Sequence, residues 1–272
     1  MRTFLAGLLF LLASSISTDG QTTIATLNTM ARVYMVRSPF GLATIFSVDV
    51  DNREYWITAK HVVTGAEHSP YGPVKTKTVK LDLLDPTSQE PHWIPEEFAV
   101  IDTDANVDIV ALATSVVLLN QPGPVTASNG GETLGGECEF LGFPYGSGYV
   151  GVFDTGKKWL LPFVKHAYVS AIIHDPVQVM ILDGINNPGF SGGPVIVGGM
   201  DQQRIVGVIS GYETDLAAVV PTLAVDPQTL RPPKQGVRIN NGFIIAYPIR
   251  YALDAIRKTP IGAVRPAANT SH

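Results

Sequence analysis

The sequence predicts an all-β protein that fits two barrels, on three observations. Short runs rich in Val, Ile, Thr and Tyr recur along the chain, and 26 glycines and 20 prolines break them at close intervals. No repeat with a period of about 20–50 residues organises the runs in another way. A chain of 272 residues, 45% hydrophobic and only 16% charged, can also bury a substantial core in one or two domains.

The elements follow in order. At the N-terminus, Arg2, the apolar run Phe4 to Ala13, and then Ser14, Ser15 and Ser17 form the three regions of a secretory signal peptide, residues 1–17, with cleavage after Ser17 or Gly20. The run is too short for an ordinary membrane span, and no cysteine near it offers a lipid attachment point. Export to the periplasm or the medium is expected, without a stable membrane anchor. Residues 24–120 fit the first barrel. There, a strand from Leu42 to Val50, the turn Asp51-Asn52-Arg53-Glu54 and the run Tyr55 to Lys60 make a hairpin that delivers His61 to a strand end. In Asn106-Val107-Asp108-Ile109-Val110-Ala111-Leu112 one aspartate stands directly before an apolar run. A carboxylate so placed loses water and needs a hydrogen-bond partner. Asp102 and Asp104 lie nearby in more polar sequence.

Residues 121–135 read as a Pro- and Gly-rich linker, and 136–247 fit the second barrel. Residues 213–241, with a Pro-rich centre, read as a long loop. Ile249, Ala252, Leu253 and Ile256 repeat at helical spacing between Pro248 and Pro260, a helix expected to pack on the second barrel and to end near residue 258. From Thr259 to residue 272 the chain is small and polar and reads as a mobile tail.

Several classes are disfavoured. The net charge of −5 and pI near 5.6 give no nucleic-acid footprint. No His/Cys cluster has zinc spacing, and a single cysteine, Cys138, allows no intramolecular disulfide. Neither a metal nor an organic cofactor is expected. The oligomeric state is not set by these residues.

The chemistry concentrates on Ser191, in Asn187-Pro188-Gly189-Phe190-Ser191-Gly192-Gly193-Pro194. A serine hydroxyl becomes a useful nucleophile only with a base to take its proton and donors to meet the oxyanion. The nucleophile elbow of α/β-hydrolases needs its histidine after the serine, and there only the terminal His272 is found. The base therefore lies upstream. His68 and His92 sit in proline-punctuated loops, and His166 and His174 suit surface or strand-end positions. His61 remains.

Thr58-Ala59-Lys60-His61, Asp108-Ile109-Val110-Ala111-Leu112 and Gly189-Phe190-Ser191-Gly192-Gly193-Pro194 resemble, in order, the three signature blocks of trypsin-like (chymotrypsin-fold) serine peptidases. Glu137-Cys138-Glu139-Phe140-Leu141-Gly142-Phe143-Pro144 is similar to the strand and turn that open the second barrel in the bacterial-type branch, and the likeness covers residues 30–258. Val62 stands where many animal relatives carry a bridging cysteine. After residue 258 there is no room for the peptide-binding PDZ domain that follows some bacterial members. The resemblance implies two six-stranded antiparallel β-barrels with a C-terminal α-helix. It implies a secreted serine endopeptidase acting on polypeptides through an acyl-enzyme, with Ser191 as nucleophile, His61 as base and Asp108 orienting His61. The amides of Gly189 and Ser191 would form the oxyanion hole. Ser210-Gly211-Tyr212 would pair with substrate backbone, and Ile185, Gly242 and Phe243 would line a pocket for a small or medium apolar P1 side chain. Phe190 stands where digestive relatives keep an aspartate that receives a newly cut N-terminus, so that activation switch is not expected. Two other readings remain open at this stage: an inactive binding protein on the same fold, and a secreted esterase.

Overall fold

The computed structural model describes residues 25–66, 71–88, 90–119, 125–128, 130–152, 158–218 and 236–266. The expected signal peptide and His68 lie outside these residues, as do the centre of the 213–241 segment and the last residues of the tail.

A short helix α1 (Leu27–Met30) leads into the first barrel: β1 (Val33–Ser38), β2 (Gly41–Val50), β3 (Arg53–Thr58), β4 (Thr78–Leu84), β5 (Trp93–Ile101) and β6 (Val110–Ala113). Antiparallel pairing of β3 with β6 closes the sheet. The β2–β3 hairpin turns on Asp51 and Asn52, at φ 50° and 59°. That left-handed pair matches the strand twist, which is why a short polar dipeptide stands there.

The second barrel is made by β8 (Glu137–Gly142), β11 (Phe163–Ile173), β12 (Val179–Asp183), β13 (Pro194–Val197), β14 (Arg204–Ala218) and β15 (Gly236–Pro248), closed by β13 on β14. A small strand β7 (Thr126–Ala127) lies parallel to β14, so part of the expected linker is held against this barrel. The hairpin β9 (Tyr149–Val152) and β10 (Lys158–Leu161) stands apart as its own two-stranded sheet. The expected fold class is therefore borne out: two closed six-stranded antiparallel barrels followed by helix α3 (Arg250–Lys258).

Three clusters explain why the strands read as continuous apolar runs. Tyr34, Val36, Ala43, Ile45, Trp56, Val110 and Leu112 fill the first barrel. Cys138, Phe140, Val195, Val206, Ile244 and Ala246 fill the second. The alternate residues of the same strands, among them Val33, Met35, Phe46, Tyr55, Ile57 and Ala111, are buried too, in a third cluster shared with Leu141, Phe143, Ile196, Val208 and Tyr247. Strands covered on both faces lose the period-2 signal, as happens in any doubly covered sheet.

Four expectations change here. The helix stripe Ile249, Ala252, Leu253 and Ile256 is buried as expected, but it joins the shared cluster and touches β6 rather than packing on the second barrel alone. His61 is not at a strand end; it is the second residue of a one-turn helix α2 (Lys60–Thr64). The ends of the 213–241 segment are strand, since Thr214 to Ala218 pair with Asn240 to Gly236 as the outer part of the β14–β15 hairpin. The stretch from Thr259 is not a mobile tail as far as Pro266. Strand β16 (Ala263–Val264) pairs with β3 in the first barrel, and Arg265 donates to Asp49 (2.6 Å), to Glu54 (3.0 Å) and to the Leu119 carbonyl (2.5 Å). Glu54 is fully buried, and a buried carboxylate is retained only with such partners.

Candidate active site

The first barrel presents His61 and Asp108 together. Asp108 sits just before β6, fully buried, and carries three donors: the His61 backbone N–H (2.8 Å, on Oδ1), the His61 ring Nδ1 (2.7 Å, on Oδ2) and the Ser210 hydroxyl. With Nδ1–H directed at the carboxylate, Nε2 is left as the imidazole's acceptor, the tautomer that general-base chemistry requires. The loop carrying Asp108 is clamped from below. Buried Lys60 pairs with Asp102 (2.9 Å) and donates to the Asp104 carbonyl (2.8 Å). Asp104 also accepts from the Asn106 N–H. Both neighbouring aspartates thus have partners other than His61.

Ser210 reaches Asp108 because it is the extra residue of a β-bulge. The β14–β15 register runs Ile209 opposite Ala246 and then Gly211 opposite Ile245, with no partner left for Ser210. Such a bulge turns a side chain out of the alternating pattern.

Ser191 lies in the loop between β12 and β13. The loop's glycines are forced by contact. A Cβ on Gly189 (φ +103°) would lie 2.2 Å from the Phe143 carbonyl oxygen, and one on Gly193 would lie 2.0 Å from the Leu141 oxygen. The Pro188 carbonyl accepts from Tyr145 N–H (2.7 Å) and the Phe190 carbonyl from Gly193 N–H (2.8 Å). In a trans peptide N–H and C=O point opposite ways. The Gly189 and Ser191 amides are therefore turned away from those contacts, and neither donates to a protein acceptor among the described residues.

His61, Asp108, Ser191 and Ser210 line one cleft of about 720 Å³, with Tyr71, Ile173, Asp175, Val179, Ile181, Gly211, Tyr212, Glu213, Ile245 and Tyr247. The Ser191 hydroxyl is not on the imidazole: it donates to the Ser210 carbonyl at 3.0 Å. Of the expected substrate-binding residues, Ser210, Gly211 and Tyr212 are on the cleft, while Ile185, Gly242 and Phe243 are not among its lining. Ile185 and Phe243 are instead half exposed. The walls where a P1 pocket was expected are stitched together: buried Asn186 donates to the Gly211 carbonyl (3.2 Å), Asn240 to the Asn186 carbonyl (2.6 Å), and Gly184 N–H to the Gly242 carbonyl (2.9 Å).

Sequence reasoning missed Tyr71 and Tyr247. Their rings meet edge to face, centroids 6.3 Å apart, and Tyr71 Oη lies 3.5 Å from Ser210 Oγ. Burial, and the Asp108 charge behind it, push both phenols up. No local pattern marks Tyr71, whose place on the cleft depends on the loop after α2 folding back, Gly72 N–H bonding the Ala105 carbonyl. The remaining histidines are elsewhere. His166 pairs with Glu137 and Glu139, each at 3.2 Å, and His92 and His174 line no part of the cleft. Phe190 is fully buried edge to face on Phe140, 5.0 Å between centroids. Cys138 is buried in β8, its thiol pushed up to about 12 by burial and by Glu137 and Glu139. Among the described residues no group of three or more His, Cys, Asp or Glu could hold a metal ion, and no helix is long and apolar enough to cross a membrane.

No family model and no curated protein matches this sequence. Solved structures do match in fold. The active form of the Rv3671c protease from M. tuberculosis shares 19% identity over 88% of this chain and 85% of its own, with a TM-score of 0.52. The HtrA-type protease AlgWS227A with a tripeptide shares 17% identity over 88% of this chain, with a TM-score of 0.50; the chain spans 64% of that protein. The chain has the double β-barrel fold of these trypsin-like serine proteases.

Proposed function

We propose that this chain is a serine endopeptidase that cleaves polypeptides through an acyl-enzyme on Ser191. The observation that carries the reading is the convergence of a His61–Asp108 pair and Ser191 in one cleft between two barrels, with the amides of Ser191 and of nearby Gly189 bonded to no acceptor among the described residues. In the proposed reaction Ser191 Oγ adds to the scissile carbonyl carbon while His61 Nε2 takes its proton. The amides of Gly189 and Ser191 receive the oxyanion. The C–N bond then breaks as His61 returns the proton to the leaving amine; water, deprotonated by the same imidazole, adds to the acyl carbon, and the C–Oγ bond breaks as His61 gives that proton back to Ser191. Asp108 holds the imidazole in place and stabilises its charged form.

The resting contact of Ser191 with the Ser210 carbonyl favours a peptide substrate over a simple ester. An extended peptide laid along Ser210-Gly211-Tyr212 brings its own N–H to that carbonyl. It thereby displaces the Ser191 hydroxyl and lets it turn to His61. An ester without an N–H has no such means.

The asparagine stitching across the P1 region supports a small or medium apolar P1 side chain, with Ile185 and Phe243 at its edge and the Lys165 ammonium held beside it on the Ile185 carbonyl (2.7 Å) and Asn187 (2.6 Å). Phe190, packed against Phe140, supports a protein competent once its leader is removed, and the leader supports export to the periplasm or medium. A fluorophosphonate probe should label the wild-type chain, freed only of its leader, and not Ser191→Ala, and the unlabelled wild-type protein should cleave casein until the probe blocks it. Ester turnover without casein cleavage would replace peptidase by esterase, and no labelling at all would leave a binding protein. A peptide library with strict Arg/Lys or Glu preference at P1 would overturn the pocket assignment.

A further inference from the structure

The Gly189 amide has a difficulty built into it. Only glycine fits at that position, because a Cβ would strike the Phe143 carbonyl. Glycine, however, occupies both halves of φ space with similar ease, so it does not hold its own peptide planes. An oxyanion donor is useful only if its direction is set before charge develops. The Tyr145 and Gly193 amides hold the carbonyls of the two donor peptides, and the Gly189–Phe190 peptide that joins them must be held as well.

We propose that Thr44, on β2 of the first barrel, is the positioning residue that fixes the oxyanion donors of Ser191's loop; this rests on the serine-peptidase reading above. Thr44 is fully buried, and its hydroxyl and its N–H are both engaged across the barrel junction. Its hydroxyl donates to the Gly189 carbonyl at 2.7 Å and accepts from the Phe143 N–H at 3.2 Å. Its N–H donates to the Ser191 carbonyl at 2.9 Å, and its own carbonyl accepts from the Thr58 hydroxyl at 2.8 Å. The Gly189–Phe190 peptide lies between the two donor amides; its N–H reaches the Asn187 carbonyl at 3.3 Å, and the Thr44 hydroxyl is the shorter contact, on its carbonyl. With that carbonyl held, neither Gly189 nor Phe190 can rotate without breaking a buried hydrogen bond. Gly192 packs on the backbone of the same residue, since a Cβ there would lie 2.2 Å from the Thr44 carbonyl oxygen. The first barrel thus contributes more than His61 and Asp108: it sets the direction of donors that belong to the second.

The test compares Thr44→Val, which keeps the shape and loses the hydroxyl, with Thr44→Ser, which keeps the hydroxyl. In the full-length protein freed of its leader, Thr44→Val should lower kcat by about 10–100-fold with KM within about twofold, part of the effect of losing a whole donor. Its affinity for a peptide aldehyde, which forms a tetrahedral adduct at Ser191, should fall by a similar factor, while affinity for the cleaved product peptide should not. Thr44→Ser should restore kcat. Should Thr44→Val not fold, Thr44→Ala, which leaves room for a water, is read the same way. A folded hydroxyl-less variant with unchanged kcat, or one that loses aldehyde and product affinity equally, overturns the inference alone. Absence of fluorophosphonate labelling in the wild-type chain overturns the peptidase reading, and this inference with it.

Discussion

In the first barrel, His61 and Asp108 meet through side-chain hydrogen bonds, braced by Lys60 on Asp102 and by the Ser210 hydroxyl. In the second barrel, the Ser191 loop is shaped by backbone: glycines that no other residue can replace, carbonyls tied to Tyr145 and Gly193, and amides without acceptors among the described residues. On the proposed reading, one side supplies a base whose tautomer is chosen by a carboxylate. The other supplies donors whose direction is chosen by peptide planes. Mutations should therefore fail differently on the two sides: side-chain changes on the first should abolish chemistry in a protein that still folds, whereas changes in the loop should act through shape.

The largest expected effect is on the nucleophile, which both sides serve. Ser191→Ala should lower kcat by a factor on the order of 10⁶ with thermal stability little changed, as for other serine hydrolases built on this constellation. Asp108→Asn comes next, at about 10⁴ in kcat, because the amide favours the wrong imidazole tautomer. Circular dichroism should show the fold retained. Gly189→Ala should lower kcat by about 10²–10³, the effect of removing one oxyanion donor, while the proton NMR signal of the His61 Nδ1–H on Asp108 persists. Loss of that signal in Gly189→Ala would show that the two sides are not separable. Arg265→Ala leaves the buried Glu54 carboxylate without its cation and should lower unfolding free energy by roughly 3 kcal/mol, measured by urea titration.

The smallest effect at neutral pH is at Cys138. Its folded-state pKa of about 12 lies above the ordinary thiol value of 9.0. At pH 8 the native thiolate fraction is on the order of 10⁻⁴, so maleimide should react only after unfolding. The sign of the linkage follows. Between pH 9 and about 12 the unfolded chain loses this proton first, so stability from Cys138 is complete below pH 9 and is lost as pH rises through the folded value. Tyr34 and Tyr247, also raised by burial, act in the same direction at still higher pH. Subtracting the curve of Cys138→Ala isolates the thiol.

The same contrast explains what could be read before any coordinates. His61, Asp108 and Ser191 were legible because their chemistry demands particular residue types, and the neighbouring runs show burial. Their shared cleft is described, but the hydroxyl of Ser191 rests on Ser210 rather than on the imidazole, a rotamer that no sequence encodes. The P1 assignment of Ile185, Gly242 and Phe243 fared less well, because that region is drawn together by Asn186 and Asn240 from segments far apart in the chain. Thr44 was hidden for a related reason: in an apolar strand a threonine reads as a β-former, and its bonds reach 99 to 145 residues away. The two-residue strand β16 has no periodicity at all, so its polar surroundings masked it.

That strand sets the order in which the molecule can be finished. Residues 263–265 complete the edge of β3, the strand that runs into the helix bearing His61, and they neutralise Glu54 beneath it. A ribosome releases them after the entire second barrel. The amino-terminal barrel is thus made first and sealed last, and a chain emerging in order holds His61 on an unfinished platform until residues 263–265 arrive.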